Sequence, residues 1–347
     1  MIMKFAYYIT DHGFGHLMRE LPVMKELIRR GHKVTVVTGP QQAEVTDDYL
    51  DHKAEIIVEN TDAGLVVIPG SLIIDSDATV AKIREHINKW ESLIEKSVDA
   101  DAYVIDICPW AVIAAKRKGI RSFLMTNFTW IEQYEPFVPE ELVNTYKDAY
   151  SQADKIIYFD LANEASRKFF GDGIEVGFSA RPFDPLKVKA IRDAHDKPIV
   201  VITCGASNSG FDFDIDVSRL PYSFIVTRAL KLIGDNVEYL DPKTNNTQDY
   251  VAAADYCIAK AGWSTVSEFV TAGVRTALLE REDTAEDTMT INQLKERNLA
   301  ISIKVDELKD IGKVIAKMDD FQWSDKIYEN EYSKIAGLIE NNTKQEI

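Results

Sequence analysis

Two short stretches hold the residue types that chemistry needs, at usable spacing. The first is Asp11-His12-Gly13-Phe14-Gly15-His16, between a strand-like run at 5–10 and a helix-like run at 17–30. Gly13 and Gly15 leave the backbone bare where a strand ends, the edge at which open α/β sheets bind ligands. His16 falls in the first turn of the helix, and its ordinary pKa of about 6.5 suits a base near neutrality. Asp106 closes the strand-like run 102–107 and belongs at the same crevice. There a carboxylate can orient an imidazole and stabilise its charged form. The plain alternatives are a histidine that packs and an aspartate that caps the helix from Ala111.

The second stretch is Lys260-Ala261-Gly262-Trp263-Ser264-Thr265-Val266-Ser267-Glu268. A strand at 256–259 should enter it and a helix at 264–272 should leave it. Gly262 permits a tight turn and close approach of a ligand. Ser264 or Thr265 is expected to cap the helix, whose first free N–H groups then point at an anion. Glu268, one turn in, could reach a ribose hydroxyl beside that anion. An ordinary N-cap between strand and helix is the competing reading.

Other patterns are weaker. A dinucleotide fingerprint would need a third glycine where Met18 stands, and the second strand closes on Thr38-Gly39 without an acid. NAD binding is therefore not expected. Asp212, Asp214 and Asp216 alternate with Phe213 and Ile215 but lack the glycine and glutamate of a calcium loop, so a solvated loop or strand face is predicted. Phe128, Thr129, Trp130 and Tyr134 could form an acceptor wall or pack in a core.

The elements that must position these residues alternate between strand and helix. Strands are predicted at 5–10, 34–38, 56–58, 102–107, 122–125 and 155–159, the last closing the first half. Helices are predicted at 17–30, 79–98 and 111–118. The second half has strands at 198–203, 223–226, 237–240, 256–259 and 276–279. Helical stretches follow at 247–253, 264–272, 292–297 and 306–318. This alternation implies parallel sheets covered by helices. Prolines and charge at 178–197 mark a linker, and 325–341 reads as an amphipathic helix with Tyr328, Tyr332, Ile335 and Ile339 on one side.

The 347 residues suffice for two domains, and 46% hydrophobic content is ordinary for a globular chain. With 40 basic against 56 acidic residues the net charge is −16. That speaks against a nucleic-acid partner, which needs basic surface to displace counterions. Cys108, Cys204 and Cys257 are scattered and odd in number, which suggests a reducing, cytoplasmic setting and buried thiols. The first ten residues read as a strand rather than a signal segment, and no stretch is long enough to span a membrane. Peripheral membrane contact and oligomeric state stay open.

His12-Gly13-Phe14-Gly15-His16, the following helix and Arg29-Arg30-Gly31-His32-Lys33-Val34-Thr35-Val36-Val37-Thr38 resemble the start of a GT-B glycosyltransferase. The stretch 260–268 with Gly273-Val274 resembles the sugar-nucleotide motif of that group's second domain. The pattern is most similar to family-28-like enzymes, which include the peptidoglycan N-acetylglucosaminyltransferase. The opening also resembles the non-kinase N-terminal region of plant arabinokinases. Together the likeness runs from residue 1 to about 300 in element order.

The resemblance implies an α/β GT-B fold of two Rossmann-like domains facing across a cleft. These would be an acceptor domain at 1–180, a nucleotide-sugar domain at 198–324 and a tail helix at 325–347 that returns to the first domain. Gly13, Gly15 and His16 match the glycine-rich loop and its candidate base, and Asp106 the aspartate that pairs with it. Gly205, Ala206 and Ser207 match a phosphate loop. Gly262, Ser264 and Thr265 match the diphosphate seat, Glu268 the ribose ligand, and Asn292 and Gln293 the neighbourhood of the donor sugar. Lys260 departs from the histidine of the secondary-metabolite enzymes but could pair with phosphate as a point charge. The base-stacking Trp-x-Pro-Gln element is missing, and Glu286 and Asp287 are candidates for a sugar-contacting acid, with a solvated loop at 280–287 as the equal alternative.

The expected function is inverting, metal-independent transfer from an NDP-sugar, a UDP-sugar by preference, to a hydroxyl of an unidentified acceptor, without a cofactor. A sugar-nucleotide hydrolase or 2-epimerase on the same fold, and a non-catalytic nucleotide-sugar-binding module, are the rivals.

Overall fold

The computed structural model describes residues 1–68, 73–204, 213–227, 230–241, 244–280 and 285–344, with backbone alone at 285 and 286. The chain divides into two compact units. The first takes Met1–Pro69, Ile73–Ser179 and Asn330–Ile347, and the second takes Ala180–Glu329.

The first unit runs β1 (Lys4–Ile9), α1 (Gly15–Arg29), β2 (Lys33–Thr38), α2 (Pro40–Tyr49), β3 (Glu55–Val58), α3 (Ser76–Glu95) and β4 (Ala102–Asp106). It continues with α4 (Pro109–Lys118), β5 (Arg121–Thr126), α5 (Trp130–Tyr134), α6 (Glu140–Tyr150), β6 (Lys155–Tyr158), α7 (Glu164–Phe170) and β7 (Ile174–Glu175). The sheet order is β3-β2-β1-β4-β5-β6-β7 and every pairing is parallel. β1 and β4 are buried along almost their whole length, which is why their sequences are continuous apolar runs instead of alternating ones. β1 pairs with β2 on one side and β4 on the other, so the strand order reverses there. The loops after β1 and β4 leave the sheet side by side at that switch point, which is the ligand crevice of open α/β sheets.

The second unit runs α8 (Pro185–Asp193), β8 (Ile199–Thr203), β9 (Asp214–Asp216), β10 (Ser223–Val226), β11 (Lys231–Ile233), β12 (Val237–Tyr239), α9 (Thr247–Ala253) and β13 (Tyr256–Lys260). Then come α10 (Trp263–Ala272), β14 (Arg275–Leu279), α11 (Ala285–Glu296), β15 (Ile301–Ile303), a 3-10 turn at Val305–Asp310 and α12 (Ile311–Asp320). Its main sheet is parallel, in the order β12-β10-β8-β13-β14-β15, and β11 pairs with β9 beside it. Each unit is thus Rossmann-like.

Several sequence expectations need correction. The strand at 155–158 is not the last of its half, because β7 pairs with it through Ile157 and Tyr158. The stretch 178–197 is not all linker. Asp184 caps α8 by accepting from Leu186 N at 2.9 Å, and no residue of that helix is buried, so it gave no periodic apolar signal. The tail helix begins at Tyr332, as α13 (Tyr332–Lys344), and not at 325. Tyr328 lies outside it, since Phe178 bridges Asn330 and Glu331 N donates to Phe178 O at 2.8 Å, which holds the preceding chain extended. Of the aspartate run, Asp214 and Asp216 point outward on β9 around buried Ile215, and Asp212 lies outside the described residues.

α13 packs on α1 within the first unit. Ile335, Ala336 and Ile339 are buried, and Arg30 donates to Ser333 O at 2.7 Å and to Glu340 at 3.1 Å.

Candidate active site

His16 and Asp106 meet. The helix α1 starts at Gly15, so His16 lies in its first turn, and β4 ends on Asp106 directly beside it. His16 Nδ1 stands 2.7 Å from Asp106 Oδ1, with both residues buried. A third residue completes the arrangement. Arg19 is 1% exposed and grips the same carboxylate twice, Nε to Oδ2 at 2.7 Å and Nη2 to Oδ1 at 2.7 Å. Its remaining Nη1 donates to Asn127 Oδ1.

The tautomer follows from this. Arg19 and ionised Asp106 leave the ring one useful role at Nδ1, to donate its proton to the carboxylate. Arg19 Nη2 is 3.0 Å from that nitrogen because both donate to one oxygen. The basic lone pair is then on Nε2. Burial lowers the pKa of His16; Asp106 pushes it up and Arg19 pushes it down, and the net direction is down. Burial works against the Asp106 carboxylate, but Arg19 and His16 outweigh it and hold its pKa below the ordinary value. The ring is therefore neutral near pH 7 and ready to take a proton.

The loop before α1 is fixed from below. Gly13 has φ +80°, a conformation that favours glycine, and a Cβ at Gly13 or Gly15 would meet no atom within 4 Å. Gln42 donates to Asp11 O at 2.8 Å and to Gly13 O at 2.9 Å. His12 lies over Gly64, where an added Cβ would sit 2.6 Å from its Nδ1, and its ring meets Trp130 edge-on. Burial and His16 bring the His12 pKa down to about 4. Phe128 packs edge-on to His16 at 5.2 Å, while Trp130 and Tyr134 stack inside the core. The aromatic cluster is thus core, with Phe128 as its one wall against the base. Just past Asp106, Ile107 takes φ +54°. That is an uncommon region for a β-branched residue and costs about 1–3 kcal/mol. Tyr150 holds it there by donating to Ile107 O at 2.7 Å.

In the second unit β13 ends on Lys260 and α10 begins at Trp263. The cap is Gly262, with no side-chain hydrogen bond, so neither Ser264 nor Thr265 caps the helix as the sequence suggested. They occupy its first turn instead. The helical ladder starts with Val266 N to Gly262 O at 3.0 Å, which leaves the amides of Ser264 and Thr265 without a carbonyl from the helix. A Cβ at Gly262 would also meet nothing within 4 Å. Lys260 lies close enough to Cys204 for its charge to act on the thiol. Glu268 is buried, and its Oε1 accepts from Arg181 Nε at 2.8 Å and Nη2 at 2.7 Å. Arg181 also binds Asn245 O and Thr247 Oγ1. Burial raises the pKa of Glu268 and Arg181 opposes it. Asn292 is exposed and Gln293 half-buried on α11. Asp287 is buried. Gly205, Ala206 and Ser207, and the side chain of Glu286, lie outside the described residues.

Arg19, Asn127 and Arg181 escaped the sequence reading. Arg19 had a signal: three residues beyond His16 on a helix is the same face, and a charged residue among Leu17, Leu21 and Met24 needs a buried partner. Asn127 follows the end of β5 and Arg181 lies in the irregular stretch between β7 and α8, and neither carried a local mark.

Residues 199–344 match the model of the glycosyltransferase family 28 C-terminal domain. Over 314 residues the chain is 28% identical to an L-arabinokinase of Arabidopsis thaliana, covering 84% of this chain but 30% of that relative's length. Among solved structures, the calicheamicin glycosyltransferase CalG4 superposes with TM-score 0.65 at 16% identity over 99% of both chains. The spinosyn forosaminyltransferase SpnP gives 0.60 at 14% identity over 100% of this chain and 96% of its own. UGT89C1 of Arabidopsis thaliana, complexed with UDP-L-rhamnose, gives 0.60 at 14% over 99% and 96%. At these identities the structural likeness is one of fold, and that fold is GT-B.

Proposed function

We propose that this chain, GT-B in fold and with residues 199–344 matching the glycosyltransferase family 28 C-terminal domain, moves a sugar from an NDP-sugar to an acceptor hydroxyl with inversion. The observation that carries the reading is the buried His16–Asp106–Arg19 cluster at the switch point of the first sheet. His16 Nε2 takes the proton of the acceptor hydroxyl. The acceptor oxygen forms a bond to the anomeric carbon as the bond from that carbon to the diphosphate breaks. Asp106 stabilises the imidazolium that results, and Arg19 keeps Asp106 ionised and fixed. The departing nucleoside diphosphate meets the first-turn amides at Ser264 and Thr265 and the Lys260 ammonium, donors oriented before the reaction begins. Glu268, held by Arg181, is assigned to the ribose. Gly13 and Gly15 let the acceptor approach the backbone, and Asn292 and Gln293 are assigned to the donor sugar. The UDP-L-rhamnose complex of UGT89C1 supports a nucleotide-sugar donor.

The donor is tested by thermal shift against a panel of nucleoside diphosphates and their sugars, since a ligand that binds only the folded form raises the melting temperature. One nucleoside diphosphate and its sugar should raise it in parallel, and nucleoside diphosphate should then be released only when an acceptor hydroxyl is supplied. No shift with any member of the panel would overturn the reading, and release at an equal rate without acceptor would make the protein a hydrolase.

A further inference from the structure

Glu20 is a second acid in the His16 cluster, and the mechanism above does not use it. It has no solvent exposure, and among the described residues neither of its oxygens is offered an N–H or O–H. His16, Arg19 and Glu20 follow at i, i+3 and i+4 on α1 and so share one face. Glu20 lies in contact with Asp106, whose charge acts on it together with that of Arg19. A carboxylate has about four acceptor sites. Three on Asp106 are filled, by His16 Nδ1, Arg19 Nε and Arg19 Nη2. One remains for another donor.

Two ionised carboxylates against one guanidinium in a dry site would leave a buried charge uncompensated, at a cost that drives one of them to hold its proton. Asp106 has the donors, so Glu20 holds it. Burial and Asp106 both push the Glu20 pKa well above the ordinary carboxyl value, with Arg19 opposing. The groups that face it are Arg19 on its own helix, Asp106 from β4 with His16 behind it, and Tyr7 from β1. The Tyr7 hydroxyl is likewise unpartnered among the described residues and is itself kept neutral by burial.

We propose that Glu20 is a positioning residue of this site, a neutral acid whose O–H donates to the fourth acceptor site of Asp106. It spreads part of the aspartate's charge and so keeps His16 a neutral base. The inference rests on the glycosyl-transfer reading for its purpose, but its test does not need turnover.

Infrared difference spectra of the intact protein at pH 7, wild type minus Glu20→Gln, read the proton directly. The expected result is a carbonyl band of a buried neutral carboxylic acid present in wild type and lost in the variant. A lost carboxylate band instead, or no difference, would overturn the proposal. NMR titration of the His16 ring, assigned by its loss in His16→Asn, reads the positioning role. Glu20→Gln keeps a donor and should titrate like wild type. Glu20→Leu removes the donor, concentrates charge on Asp106 and should raise the His16 pKa by about half a unit or more. An unmoved His16 in a folded Leu variant would reduce Glu20 to a packing residue and also overturn the proposal. Should the Leu variant fail to fold, the infrared result decides alone.

Discussion

At the residue scale the site is a charge balance built around Asp106. One carboxylate receives both faces of an arginine fork and an imidazole, all within the first turn or so of α1. Arg19 does opposite things to its neighbours, holding Asp106 ionised while lowering the basicity of His16. Arg19→Met should therefore destabilise the fold by about 3–5 kcal/mol, because it strands the buried Asp106 carboxylate without its cation. Arg19→Lys should recover part of that but not the two-pronged grip. Urea midpoints of the two variants check this, and a Met variant as stable as wild type would contradict it. His16 and Asp106 were legible because their types and strand-end positions limit what they can do. Arg19 was less legible, since Leu17, Leu21 and Met24 give the helix an apolar face that masks the arginine beside them. Asn127 was not legible at all, because the fold alone brings the end of β5 to the start of α1.

At the element scale the seat in the second unit is a helix start left open. Gly262 is extended there, at φ −63° and ψ 128°, and nothing in the protein occupies the space a Cβ would enter. Gly262→Ala should therefore cost less than about 1 kcal/mol of stability, the scale of changing an N-cap. It should nonetheless weaken nucleoside diphosphate binding by tenfold or more if the diphosphate approaches this backbone. Calorimetry of the variant checks both halves, and unchanged affinity would move the diphosphate elsewhere. The strands β1, β4, β8, β10 and β13 were legible, as buried parallel strands are continuous apolar runs. The helices missed fall into two kinds. α2 has three buried residues out of ten and α8 none, so tertiary position and capping, not periodicity, define them. α6 did carry the signal, since Leu142, Val143, Tyr146, Ala149 and Tyr150 bury one face at helical spacing. The cap of α10 falls elsewhere for a related reason: Ser264 and Thr265 are good cap types, but the turn puts Gly262 at the cap and both hydroxyl residues inside the first turn.

At the scale of the whole molecule, pH links the site to the fold. His12, His16 and His86 all have lowered pKa values, chiefly through burial. The unfolded chain then binds protons that the folded one refuses, so stability should fall as pH drops below the ordinary histidine value of 6.5, for His12 down to about 4. A second loss should follow between about 4.5 and 2. Glu26 is held at about 2 by its hydrogen bond from Arg29, against burial and with help from Arg30. Glu340 is also held at about 2, first by Lys344 and then by Arg30. These carboxylates contribute stability above their unfolded values and lose it as pH falls through the folded ones. They lie at the α1–α13 contact, so the second phase should release the tail helix. Denaturant melts across pH 7 to 2, read by circular dichroism, check both phases, and a flat profile from 7 to 4.5 would contradict the first. The amphipathic tail was legible in outline, but its start was not, since Asn330 and Glu331 are fixed by pairing with Phe178, about 150 residues earlier in the chain.

The most direct measurement is donor turnover by His16→Ala set beside its donor affinity. The account predicts that transfer falls by about a hundredfold to ten-thousandfold, the worth of a general base, while the nucleotide-sugar binds as tightly as to wild type. Transfer at the wild-type rate in that variant would contradict it.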